Sequence, residues 1–168
     1  NICGASVQVC QNVTVSGTGA LVWTGAVSTD WNNPFNWLPN TVPNYDDVTI
    51  PDVTNDPFIG PGVDGYVNNI DCAAGATITI LTGQTLSISG NWNWPGTHTL
   101  GGTVIFNGLT PQSTFGHYFF SNVIVENTVS LLGNTRITEE LLIDGGNLIT
   151  NDNLTILSNA SGTGWIMP

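Results

Sequence analysis

The stretch NVIVENTVSLLGNTRITEELLIDGGNLITNDNLTIL (residues 122–157) repeats itself. Val123-Ile124-Val125 returns 18 residues on as Leu141-Leu142-Ile143. Val129-Ser130-Leu131 is followed 18 or 19 positions later by Leu148-Ile149. Arg136-Ile137-Thr138 is followed after 19 by Thr155-Ile156-Leu157. Three short apolar segments thus recur in one order, with Gly and Asn between them. A period of this size fits one coil of a parallel β-helix, in which no coil buries its inward side chains alone and stacking buries them in files. Strands of successive coils then pair in parallel at about 4.8 Å.

Working outward, Thr103-Val104-Ile105-Phe106 lies 20 residues before Val123, and Thr77-Ile78-Thr79-Ile80 lies further upstream. Leu86 and Ile88 alternate, as do Val104 and Phe106, which is the period of a strand. The best helical stretch, Thr138 to Leu142, is too short to count. The expected fold is all-β, a right-handed parallel β-helix or solenoid. The alternative is an antiparallel β-sandwich, whose strands also recur at short intervals. The scarcity of tight hairpin signals disfavours it, Asn107-Gly108 being the one Asn-Gly pair.

The chain divides into three parts. Residues 1–19 carry alternating Val7, Val9, Val13 and Val15, a strand segment suited to exchange with a neighbour or to a preceding module. Residues 20–75 are rich in Trp, Pro and Asp. They read as an aromatic N-terminal capping layer, because an open solenoid end is a bare sheet edge that needs cover. Residues 76–168 form the coils.

Charge limits the partners. Arg136 is the one Arg or Lys against twelve Asp and Glu, for a net charge of −11. Nucleic acid is excluded, since it needs several cations to neutralise phosphates, and anionic membrane surfaces are disfavoured for the same reason. No apolar run reaches the roughly 20 residues of a membrane span, so no insertion is expected. The first residues lack the basic and apolar regions of a signal peptide. Neutral polysaccharide, divalent cations, neighbouring modules and copies of the chain itself remain as partners. Three cysteines, Cys3, Cys10 and Cys72, are disulfide candidates in any pairing, with one left over.

One set of residues resembles a known module. Trp23-Thr24-Gly25, Asp30-Trp31-Asn32-Asn33, Asn36-Trp37, Pro43 and Asp47-Val48-Thr49-Ile50-Pro51 are similar to a β-helix-type module of surface and secreted proteins of Bacteroidota, many exported by the type IX route. Gly102 to Gly108, Gln112, Phe120 to Val125 and Ala160 to Gly164 continue the resemblance, which covers residues 20 to 168. It implies a β-helix-like fold, an extracellular or cell-surface location and long multi-module chains. It implies no shared catalytic residues.

Two candidate sites follow from the residues. Asp46, Asp47, Asp52 and Asp56 could supply oxygen ligands to Ca²⁺; otherwise they cap turns by bonding local backbone, which is the simpler reading, and apart from that ion no cofactor is expected. Trp92 and Trp94 alternate on a strand, so they share a face and could form an exposed sugar-stacking platform. Catalysis is not expected. Glu139 and Glu140 are adjacent and would face opposite sides of a strand, His98 and His117 have no companion at informative spacing, and Arg136 is alone. The expected role is an extracellular structural or adhesive module, self-assembling into a filament. The alternative is a carbohydrate-binding module.

Overall fold

A computed structural model describes residues 19–159, 162–163 and 165–167. Among these the chain is all-β, a parallel β-solenoid of about 6 turns. Its strands are β1 (Leu21–Trp23), β2 (Trp37–Leu38), β3 (Asn44–Ile50), β4 (Phe58–Ile59), β5 (Gly65–Cys72), β6 (Thr79–Ile80), β7 (Thr85–Ile88), β8 (Trp92–Phe106), β9 (Gln112–Val125), β10 (Thr128–Leu131), β11 (Thr135–Ile143), β12 (Asn147–Ile149), β13 (Leu154–Ile156), β14 (Ser158–Asn159), β15 (Gly162–Thr163) and β16 (Trp165–Met167). The pairings along the stack are parallel; the antiparallel ones are β1 with β2 and β14 with β15. The solenoid expectation holds, and the sandwich alternative, which requires antiparallel neighbours, does not.

The register reproduces the sequence repeat. Val129 pairs with Leu148, Arg136 with Thr155 and Leu141 with Val123. Upstream the coils are longer: Val48 pairs with Ile70, Ile70 with Trp92 and Trp92 with Thr114, each step 22 residues. The step shortens where the register of β8 on β9 shifts, between Trp94 and Thr97 and again between Leu100 and Thr103. Thr138 to Leu142 lies within β11. Strands β3 and β5, placed with the cap by composition, are rungs of the stack, pairing onward with β7 and β8.

Inward files fill the lumen. Leu86, Val104, Val123 and Leu141 form one, and Ile88, Phe106 and Val125 another, all buried. Alternation puts every second side chain inside, and burying each large aliphatic or aromatic group contributes about 1.5–3 kcal/mol. Around Trp92 the lumen is aromatic: its ring lies 5.7 Å from Trp94, 5.4 Å from Tyr118 and 5.9 Å from Phe120, centroid to centroid.

The first end is closed as expected, and its motif residues do the closing. Trp23, Trp31 and Trp37 are buried and pack together, Trp37 edge-on to both others at 5.0 and 4.8 Å. Asn36 is the hub of the loop that holds them. Its side-chain oxygen accepts from Val27 N and Ser28 N, both at 2.9 Å, and its amide donates to Ser28 Oγ and Asp30 O. The indole N–H of Trp37 donates to Trp31 O at 2.9 Å, and that of Trp23 to Asn55 O at 2.7 Å. A single turn of 3-10 helix, Pro34–Asn36, joins Trp31 to Trp37, its start capped by Asn33.

Candidate functional site

The residues read as a site from sequence fall in different places. Trp92 and Trp94 do share a face, but it is the inner one: both are 0% exposed. This corrects the expectation of an exposed indole platform. Their positions continue the inward files of Ile70 and Cys72, and rotating them outward would turn the whole strand inside out.

The acidic residues are spread over separate corners. Asp46 accepts from Asn44 N at 3.0 Å, Asp56 from the Thr77 hydroxyl, and Asp52 sits against Gly75. Asp47 accepts from Asn68 and Asn69 across the rung. Among the described residues no three His, Cys, Asp or Glu side chains gather where a metal ion could be held. Asp46, Asp47 and Asp56 instead accept from nearby backbone or side-chain donors, as turn-capping Asp does.

Cys72 is a buried free thiol in the file between Ile50 and Trp94. Burial pushes its pKa far up; the Trp92 N–H works the other way, and the Asp71 charge adds to the rise. Cys3 and Cys10, its candidate partners, lie outside the described residues, as do Val7, Val9, Val13 and Val15.

The surface that the fold assembles, and that the sequence reading missed, is an outward polar ladder. In one file Asp47, Asn69, Asn91 and Ser113 follow each other at 22-residue steps; in the next, Thr49, Asp71, Asn93 and Phe115 do. Asn69 N donates to Asp47 Oδ1 at 3.1 Å, Asn91 N to Asn69 Oδ1 at 2.8 Å and Ser113 N to Asn91 Oδ1 at 2.8 Å. Asn93 Nδ2 donates to Asp71 Oδ1 at 2.8 Å. Partial burial works to raise the Asp47 pKa, but the donors from Asn69 and Asn68 outweigh it and hold the carboxyl below its ordinary value. The signal was present in the sequence, as a 22-residue recurrence of short polar residues.

On another face a cleft of about 170 Å³ is lined by His117, Tyr118, Phe119, Asn134 and Arg136. The Arg136 guanidinium lies 5.0 Å from the centre of the Phe119 ring.

Residues 22–101 match the model of a domain of unknown function (DUF8693). The matched region holds the tryptophan cap and the rungs from β3 into β8, including most of the polar ladder. No curated protein and no solved structure matches the chain.

Proposed function

We propose that this chain is an extracellular structural and adhesive module of a cell-surface or secreted protein, of the kind its motifs resemble in Bacteroidota. The observation that carries the reading is the pairing of a closed first end with a long stack of parallel rungs. Each rung is bonded to the next by backbone and by outward side chains, so bending the rod strains many bonds at once. A stiff body with a solvated surface of Asn, Asp, Thr and Ser suits a spacer or a displayed surface, and its negative charge keeps it soluble and apart from anionic lipid.

Self-association is part of the proposal. Among the described residues β12, β13 and β16 are each paired on one side only, and Trp165, Ile166 and Met167 of β16 are exposed. Such an edge accepts a further strand from a neighbouring module or a second copy.

Antibody against the purified chain, applied to intact and to permeabilised cells of its producer, tests the location; labelling only after permeabilisation would sink it. Negative-stain microscopy at high protein concentration tests assembly: end-joined rods are expected, and compact monomers alone would refute that part. A non-catalytic role predicts that purified chain releases no reducing ends or unsaturated products from polysaccharides, and their release would overturn it.

A further inference from the structure

We infer that the outward polar ladder is a binding groove for a neutral glycan, with Phe115 as its stacking end. The groove has a volume of about 390 Å³ and runs across successive rungs past Asp47, Asn69, Asp71, Asn91 and Asn93. This names the ligand class of an adhesive module and in that sense rests on the reading above.

The ladder uses only part of its hydrogen-bonding capacity internally. Oδ1 of Asp47, Asn69, Asp71 and Asn91 each accepts a bond from the next rung. Oδ2 of Asp47, Oδ2 of Asp71, Oδ1 of Asn93 and Nδ2 of Asn91 make no hydrogen bond with other described residues. Three acceptors and one two-proton donor are therefore held in place by internal bonds and left open to the groove. A sugar hydroxyl both donates and accepts, so a row of hydroxyls can satisfy such a mixed set, and pre-ordered side chains lose little entropy on binding.

The next residue in the Asn93 file is Phe115, which is 56% exposed and stands one rung beyond the side chains that line the groove. Pyranose rings have an apolar C–H face as well as hydroxyl edges, and an aromatic ring packs against that face. Amide edges followed by an aromatic plane match the two sides of one sugar chain. The rungs, about 4.8 Å apart, repeat at a spacing comparable with one ring of an extended glycan.

Other ligands fit less well. Asp47 and Asp71, on a chain of net charge −11, repel polyanions. A Ca²⁺ ion wants six to eight oxygens at one point, whereas the oxygens here are strung across several rungs and Asn69 and Asn91 have theirs engaged by backbone N–H.

Calorimetry of the purified chain with cellohexaose, xylohexaose and β-1,4-mannohexaose tests the inference, with polygalacturonate and Ca²⁺ alone as comparison titrants. Binding of at least one neutral hexaose in the micromolar to millimolar range is expected, and none of polygalacturonate. Asn93→Ala and Phe115→Ala should each weaken it tenfold or more, while Arg136→Ala on another face leaves it unchanged. Amide shifts of wild-type protein on adding the hexaose should centre on Asn69, Asn91, Asn93 and Phe115, a readout that needs no variant to fold. Silence with all three hexaoses, binding that survives both groove substitutions, or heat from Ca²⁺ alone that Asn93→Ala abolishes would each overturn it. Binding is read on purified chain and location on cells, so either proposal can fail without the other.

Discussion

The backbone N–H of Asn91 donates to the side-chain oxygen of Asn69, 2.8 Å away and 22 residues earlier in the chain. The same bond recurs one rung on either side, from Asn69 N to Asp47 and from Ser113 N to Asn91. Three amide donors at a corner of the coil are thereby satisfied by side chains of the preceding rung.

Replacing Asn91 by Ala should therefore cost stability as well as surface chemistry. It removes the acceptor for Ser113 N and for the Ser113 hydroxyl. Water reaches this corner, so the expected loss is only about 1 kcal/mol. For a domain of this size that is a fall of about 2–4 °C in Tm. Differential scanning calorimetry checks it; an unchanged Tm would mean the ladder adds nothing to stability.

The Asp47 carboxyl gives a pH dependence with a definite sign. Its folded pKa lies below the ordinary value, so ionised Asp47 favours the folded state above the unfolded pKa of about 4. That contribution disappears as pH falls through the folded pKa. The stability difference between wild type and Asp47→Asn should be largest near neutrality and shrink below about pH 4. Urea titrations of both proteins across that range provide the measurement.

Asn36→Ala should open the cap. It removes a fully buried side chain and leaves the partly exposed Val27 N and Ser28 N without their acceptor, for a loss on the order of 2 kcal/mol. Because the three indoles sit beside this loop, near-ultraviolet circular dichroism should change with it. A surface-like effect would show that the cap does not depend on this hub.

With Cys3 and Cys10 changed to Ser, Cys72 becomes the chain's one thiol. Burial raises its pKa and walls it off from reagent. Native protein at pH 8 should react with a chromogenic disulfide reagent far more slowly than denatured protein. Equal rates would place Cys72 at the surface.

Trp92→Ala should behave as a core truncation and lose about 3–5 kcal/mol. Acrylamide should quench Trp165, which is 61% exposed, and leave the buried Trp92 and Trp94 largely untouched. Strong quenching of those two would put them back on the surface.

Much of this architecture was legible before any coordinates. The offset of 19 between Val129 and Leu148 and between Arg136 and Thr155 is the observed register, because aliphatic files must line up for each coil to bury its side chains. Trp23, Trp31 and Trp37 were readable as one cap, since a motif so dense in large apolar groups needs an interior. The 22-residue rungs were harder to see. Their inward files mix Ile, Trp, Thr and Cys, which share no single hydrophobic signature, and their outward files are short polar residues that look like any loop.

By itself the sequence determined the 18- to 19-residue period of the later coils, the closed end and the sign of the surface charge, for these depend on residue type and spacing alone. It also determined that Trp92 and Trp94 lie on one face, because side chains alternate along a strand. Only the tertiary structure decided that this face looks inward, and that Asp47, Asn69, Asn91 and Ser113, far apart in the chain, stand in one row outside. Alternation has two solutions of opposite polarity, and the choice falls to whichever stacking buries the larger apolar surface.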